Sequence, residues 1–170
     1  MEAIDYPELF YLDAAQGWVE LGNFAEASRE LEKIHADRQS HPDVLEVRWE
    51  ICAKQKQWQE GAEVGRALIR TAPDRATGWI DLSYALHELK ETQQAWDNLF
   101  GVAGTFPKVP TISYNLACYA CQLGKLWEGE QWLKRAFDVG DPRELKEMAL
   151  SDADLKPLWD KVKAWPVTGT

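Results

Sequence analysis

Apolar residues recur along this chain at helical spacing, and the helices they predict recur at a longer one. In registers beginning at Glu8, Pro42, Ala76 and Pro110 the sequence repeats every 34 residues without a gap. Each register opens with an apolar-striped stretch that reads as a helix, passes a short polar turn, and continues into a second striped stretch. The turns are Leu21-Gly22-Asn23-Phe24, Lys56-Gln57-Trp58, Lys90-Glu91-Thr92 and Leu123-Gly124-Lys125-Leu126. A small residue falls at repeat position 20 (Ala27, Gly61, Ala95, Gly129) and a leucine or glycine at position 24 (Leu31, Gly65, Leu99, Leu133). An apolar residue sits at position 27 (Ile34, Leu68, Val102, Ala136). No stretch alternates in polarity as a half-buried strand would.

The pattern predicts helices over 7–21, 24–38, 42–55, 58–71, 75–89, 92–105, 110–123 and 126–139, then two shorter ones over 143–150 and 154–165. Pro42 and Pro110 suit the first turn of a helix, where a missing N–H costs nothing. Pro73 and Pro107 occupy position 32, where a helix must already have ended. The short connections make neighbouring helices antiparallel hairpins. Such a hairpin has apolar surface on two sides, so a fixed period of this length predicts a stacked array with covered ends.

The pattern resembles the tetratricopeptide repeat. The third unit carries the resemblance best, through Trp79, Leu82, Ser83, Ala95, Leu99 and Pro107. The fourth follows with Leu116, Ala117, Gly124, Leu133 and Ala136, and the first with Tyr11, Ala14, Ala15, Gly22, Ala27 and Leu31. The resemblance implies an all-α fold, an α-α superhelix (solenoid) of four helical hairpins plus C-terminal capping helices. The implied organisation is a lead over 1–7, repeats over 8–41, 42–75, 76–109 and 110–143, capping helices over 144–165, and a disordered tail over 166–170. The stretch from Ala149 to Trp159 is similar to a segment that often ends bacterial proteins of this family.

The second unit departs from the pattern. Position 8 should be small and is Trp49, while positions 20 and 24 opposite it are Gly61 and Gly65. Both glycines are therefore expected to make room for the indole, an exchange of large for small that preserves core volume.

The resemblance also implies where a partner binds, because the first helices of such an array line a concave groove. The groove residues implied are Gln16, Glu20, Glu46, Glu50, Ile80, Tyr84, His87, Tyr114, Asn115 and Cys118, with Asp43 and Asp81 beside them. Glu20, Asp43, Glu46, Glu50, Asp81 and Glu88 face a single base there, Lys54. An acidic groove with aromatics suits a protein or peptide segment carrying basic and apolar residues. Relatives that grip acidic chaperone tails use Lys, Arg and Asn at positions 2, 5, 6 and 9; here only Asn115 matches, so that ligand class is not expected.

Composition narrows the partners further. A formal charge of −9 disfavours nucleic acid and anionic membrane, both of which need a basic surface. No apolar run is long enough to span a bilayer, and no secretory signal is expected from the acidic amino terminus. Three cysteines, an odd number, argue for a reducing, cytoplasmic setting rather than a disulfide framework. A monomer or weak homodimer is expected, Tyr6, Phe10 and Tyr11 being a candidate self-association surface and Trp127 with Trp132 a second, convex contact.

Catalysis is not expected. His35, His41 and His87 belong to different elements, and neither a nucleophile elbow nor a phosphate loop is present. Cys118 and Cys121 form a CxxC with His87 on a neighbouring helix, which leaves a metal or redox protein as one alternative, although a closed zinc site wants a fourth ligand. A small secretion-type chaperone for an unfolded client is another. The segment-binding reading requires no cofactor, and none is expected.

Overall fold

The computed structural model describes residues 4–166, and every regular element among them is helical. In chain order they are α1 (Glu8–Glu20), α2 (Phe24–Glu32), α3 (Pro42–Lys54), α4 (Trp58–Thr71), α5 (Ala76–Glu88), α6 (Thr92–Phe100), α7 (Pro110–Gln122), α8 (Leu126–Val139), α9 (Pro142–Ser151) and α10 (Trp159–Ala164). Two 3-10 stretches, Ala36–Arg38 and Ala153–Leu158, complete the set. First helices begin at residues 8, 42, 76 and 110 and second helices at 24, 58, 92 and 126, so the sequence period is also the period of the helices. Apart from Pro166, the expected disordered tail lies outside the described residues.

Each of the four hairpins closes in the same way. Gly22, Lys56, Lys90 and Gly124 hold positive φ of 75°, 58°, 68° and 76° at the same repeat position. The next residue's N–H then reaches back five residues, Asn23 to Trp18 O and Gln57 to Cys52 O at 2.8 Å, Glu91 to Leu86 O at 2.9 Å, and Lys125 to Ala120 O at 2.8 Å. This ties off carbonyls that the ending helix leaves without partners.

Three expected helices are shorter than the apolar pattern. α2 ends at Glu32 because the Gln39 side chain donates to Leu31 O and Ile34 O, both at 2.7 Å, in place of further helical turns. α6 ends at Phe100, before Gly101 and Gly104, where helix propensity falls. The stretch 154–165 divides because Pro157 has no N–H for an α-helical bond, and the chain runs as 3-10 helix to Leu158.

The chain divides into two compact units, Met1–Ala85 and Leu86–Thr170, and the division falls within α5. In the first, Leu12, Ala15, Val19, Ala27, Leu31, Ile34, Val44, Val47 and Ile51 form one core, and Leu45, Val64 and Leu68 a second with Trp49 packed against it. Full burial of each aliphatic side chain contributes about 1.5–3 kcal/mol. Small residues set how closely helices approach. A Cβ on Gly65 of α4 would stand 2.8 Å from the backbone nitrogen of Leu82, and one on Gly78 of α5 would stand 3.0 Å from that of Ile69. Gly65 thus accommodates the α5 backbone, and only Gly61 makes room for Trp49.

In the second unit α7 is buried on nearly every side, from Ile112 to Cys121. Leu145, Ala149, Leu155, Leu158 and Val162 of the C-terminal segment are buried with it. The Trp159 indole donates to Ala149 O at 2.8 Å, and the Trp165 ring meets Phe137 edge-on at 5.2 Å. Met148 is 51% exposed, because it lies on the outer face of α9.

Candidate functional site

Two adjoining cavities open in the first unit between the first helices of its hairpins. One, of about 440 Å³, lies between Leu12 and Gln16 of α1 and Asp43, Glu46, Val47 and Glu50 of α3. The other, of about 520 Å³, lies between α3 and α5. Its walls are Trp49, Trp58 and Tyr84; Glu46, Glu50 and Asp81 supply acid; Thr77, Ala53 and Lys54 complete the rim. Glu46 and Glu50 are four residues apart on α3, hence on one face, and border both cavities.

Of the residues expected in a groove, Gln16, Glu46, Glu50 and Tyr84 meet here. Glu20 is exposed at the end of α1 outside both cavities, and Ile80 is half-buried outside both. The structure adds Trp49 and Trp58, which the repeat pattern places in the core and at a turn. The Tyr84 ring meets Trp49 at 6.3 Å and 76°, and Trp58 at 5.6 Å and 63°, so the aromatic wall forms a corner.

The acidity is less one-sided than the helix faces imply. Arg75, in the connection between α4 and α5, places Nη1 2.5 Å from Asp43 Oδ1 and 3.3 Å from Glu46 Oε1. Thr77 Oγ1 also donates to Glu46, at 2.8 Å. Arg75 heads the helix expected over 75–89 but precedes α5, which begins at Ala76, so helix periodicity did not mark it as a counter-charge. Among the described residues Glu50 and Asp81 form no ion pair. Burial pushes the Asp81 carboxyl up to about 8, and the charge of Glu46 adds to the rise.

The second unit treats its expected groove residues differently. Tyr114, Cys118 and His87 are 5%, 5% and 8% exposed, and residues 152–154 of the same unit lie against them. Tyr114 OH donates to Asp152 Oδ2 at 3.0 Å, and the Cys118 thiol to the same oxygen at 3.4 Å. His87 Nε2 is 2.8 Å from Asp154 Oδ2, and Nδ1 is 3.0 Å from Thr92 Oγ1. Gln122 Nε2 donates to Asp154 O at 3.3 Å, and Asn115 stays half-buried. These side chains were expected to face a partner; in this structure they face the protein's own C-terminal segment.

The cysteines are set in the same surroundings. Burial, with Asp152 and Asp154 nearby, pushes the Cys118 thiol well up and Cys121 up to about 11. Both therefore stay protonated near neutral pH, which suits neither a nucleophile nor a thiolate ligand. Among the described residues no group of three or more His, Cys, Asp or Glu is placed to hold a metal ion. No helix among them is long and apolar enough to cross a membrane.

Other candidate surfaces also resolve. Tyr6 and Phe10 are exposed at the start of the first unit, at 84% and 61%. Trp127 is exposed, whereas Trp132 packs edge-on against Trp96 and Phe100 at 6.4 and 6.0 Å with the Arg135 guanidinium over it. The two tryptophans form no joint patch, because Trp132 is taken up by that cluster.

Solved structures share this architecture. MamA from Desulfovibrio magneticus is similar with a TM-score of 0.71 at 19% identity, over 95% of this chain and 96% of that one. A thermophilic TPR protein of Thermus thermophilus gives 0.70 at 18% identity, over 93% and 100%. No family model matches the chain, and no curated protein matches it. At such identities the likeness establishes fold, and the fold is that of the tetratricopeptide repeat.

Proposed function

We propose that this chain, which has the tetratricopeptide-repeat fold, is a non-catalytic interaction scaffold that holds a segment of a partner protein on the α1, α3 and α5 face of its first unit. The proposed organisation is four repeats over 8–41, 42–75, 76–109 and 110–143, with a capping segment over 144–165. The observation that carries the reading is the pair of adjoining cavities that share Glu46 and Glu50 and end in an aromatic corner. Acid and aromatic surface side by side favours a segment with basic and apolar residues, the charge guiding encounter and the buried rings supplying affinity. The corresponding face of α7 is filled by residues 152–154, so the surface proposed belongs to the first unit. Cys118, Cys121 and His87 serve in this reading as packing and hydrogen-bonding residues.

Selection of peptides from a random display library against the whole chain tests it. Selected segments should carry basic and apolar residues together, and the double variant Glu46→Lys, Glu50→Lys should weaken them tenfold or more, about 1.4 kcal/mol or beyond. Selected segments that bind that variant and Tyr84→Ala as tightly as the parent chain would remove the proposal.

A further inference from the structure

We infer that the cavity between α3 and α5 is a subsite for one arginine side chain of the partner segment, its guanidinium lying against Trp58 and Tyr84 with N–H groups directed to Glu50 and Asp81. The inference deepens the proposed function and rests on it, since the arginine is taken to belong to the bound segment.

Three features converge on that occupant. The first is shape. Tyr84 keeps 40% of its surface exposed while its ring abuts both Trp49 and Trp58, so the cavity is walled by ring surface on two sides. A planar cation can lie on such a face and gain from the ring quadrupole. The Trp49 indole N–H is buried away from the opening, so the wall offers a cation no competing donor there.

The second feature is a pair of carboxyl groups that the protein leaves without a partner. Arg75 and Thr77 already occupy Asp43 and Glu46. Glu50 and Asp81, from facing helices, have no ion-pair partner among the described residues, and Lys54 at the rim is the one base lining the cavity. Burial holds Asp81 at about 8, which a cation beside it would reverse. An acidic occupant would meet Glu50, and a purely apolar one would offer neither carboxyl group a partner.

The third feature is the division of labour between ring and carboxylate. Guanidinium presents five donors in one plane, so it can keep a face on an aromatic ring while its edge reaches two carboxylates from different helices. An ammonium group is a compact, strongly hydrated point charge and cannot do both as well. The volume of about 520 Å³ has room for the side chain and the backbone that carries it.

The test uses the intact chain, 15N-labelled, with the assigned indole N–H resonances of Trp49 and Trp58 as reporters. The probes are N-acetyl-arginine methylamide, its citrulline counterpart of nearly the same shape without charge, and the lysine counterpart. The arginine probe should shift both resonances saturably with a dissociation constant of about 1–10 mM, as befits one side chain. The lysine probe should bind several-fold more weakly, and the citrulline probe should not saturate. Asp81→Asn, a change of nearly equal volume, should weaken the arginine probe about tenfold while the spectrum stays dispersed. Equal response to arginine and citrulline, equal response to arginine and lysine, or no response would each overturn the assignment. If display-selected peptides depend on Glu46, Glu50 and Tyr84 yet need no arginine, the subsite fails and the groove stands. If those peptides ignore the first unit, the proposed function fails and takes this inference with it.

Discussion

The Trp49 indole N–H reaches the place where Gly61 has no side chain: a Cβ on Gly61 would stand 3.7 Å from Trp49 Nε1 and 3.7 Å from the Cβ of Cys52, both ordinary contacts. Four residues on, Gly65 looks equivalent in sequence and is not. There a Cβ would come within 2.8 and 2.9 Å of the Leu82 backbone nitrogen and Cα. One glycine makes room for a side chain that could tolerate a methyl group, and the other makes room for a helix that could not.

The two substitutions should therefore differ in sign. Gly61→Ala is expected to stabilise the protein by about 0.5–1 kcal/mol through helix propensity. Gly65→Ala should destabilise it by about 2–4 kcal/mol, since backbone must shift. Urea denaturation of both variants measures this, and equal effects would contradict the assignment.

The hairpin turns give a second pair of opposites. Lys56 and Lys90 hold the left-handed conformation that Gly22 and Gly124 adopt at the same repeat position. A Cβ costs about 1 kcal/mol there, partly offset by the smaller chain entropy of a non-glycine residue. Lys56→Gly and Lys90→Gly should each stabilise by about 0.5–1 kcal/mol. Gly22→Ala and Gly124→Ala should each cost about 1 kcal/mol, read as shifts in melting temperature.

Asp81 sets a pH dependence. Its folded value of about 8 lies above the roughly 3.9 of an unfolded aspartate. Between these values the folded chain keeps a proton that the unfolded chain has released. Stability from this group is thus greatest at and below about pH 4, falls as pH rises towards 8, and is level above. Asp81→Asn should match the parent near pH 4 and exceed it at pH 8 by about 1–2 kcal/mol, well short of the full shift because the groove opens to water. Thermal melts across that range would show the parent's slope and its loss in the variant.

Asp152 accepts from Tyr114 OH, the Cys118 thiol and the Asp154 backbone N–H. Asp152→Ala removes the acceptor of all three bonds and the cap of the 3-10 stretch together. The expected cost is about 2–3 kcal/mol, with faster amide exchange confined at first to residues 152–158. Tyr114→Phe removes one bond and should cost about 1 kcal/mol. Unchanged exchange in Asp152→Ala would mean the segment is held by Leu155, Leu158 and Val162 alone.

How much of this was legible in the chain varies with the range of the interaction. Apolar spacing and the 34-residue recurrence are local or periodic signals, and they carried the all-helical fold, the helix starts and the position of each turn. The same signals put Glu46 and Glu50 on one side of α3, because residues at helical spacing share a side whatever surrounds them; that Gln16 of α1 and Tyr84 of α5 would line cavities beside them was implied only by the family resemblance. They could not reveal that Arg75 would fold back from a connection onto Asp43, or that Trp58 would turn its ring to Tyr84. Nor could they distinguish Gly61 from Gly65, since the difference is which part of α5 passes each one. Above all, Tyr114, Cys118 and His87 carry the periodicity of a groove face. That face became interior because Asp152 and Asp154, far along the chain, supplied acceptors that match their donors. Periodicity assigns a side of a helix; only the packing of distant segments settles whether that side meets solvent or the chain itself.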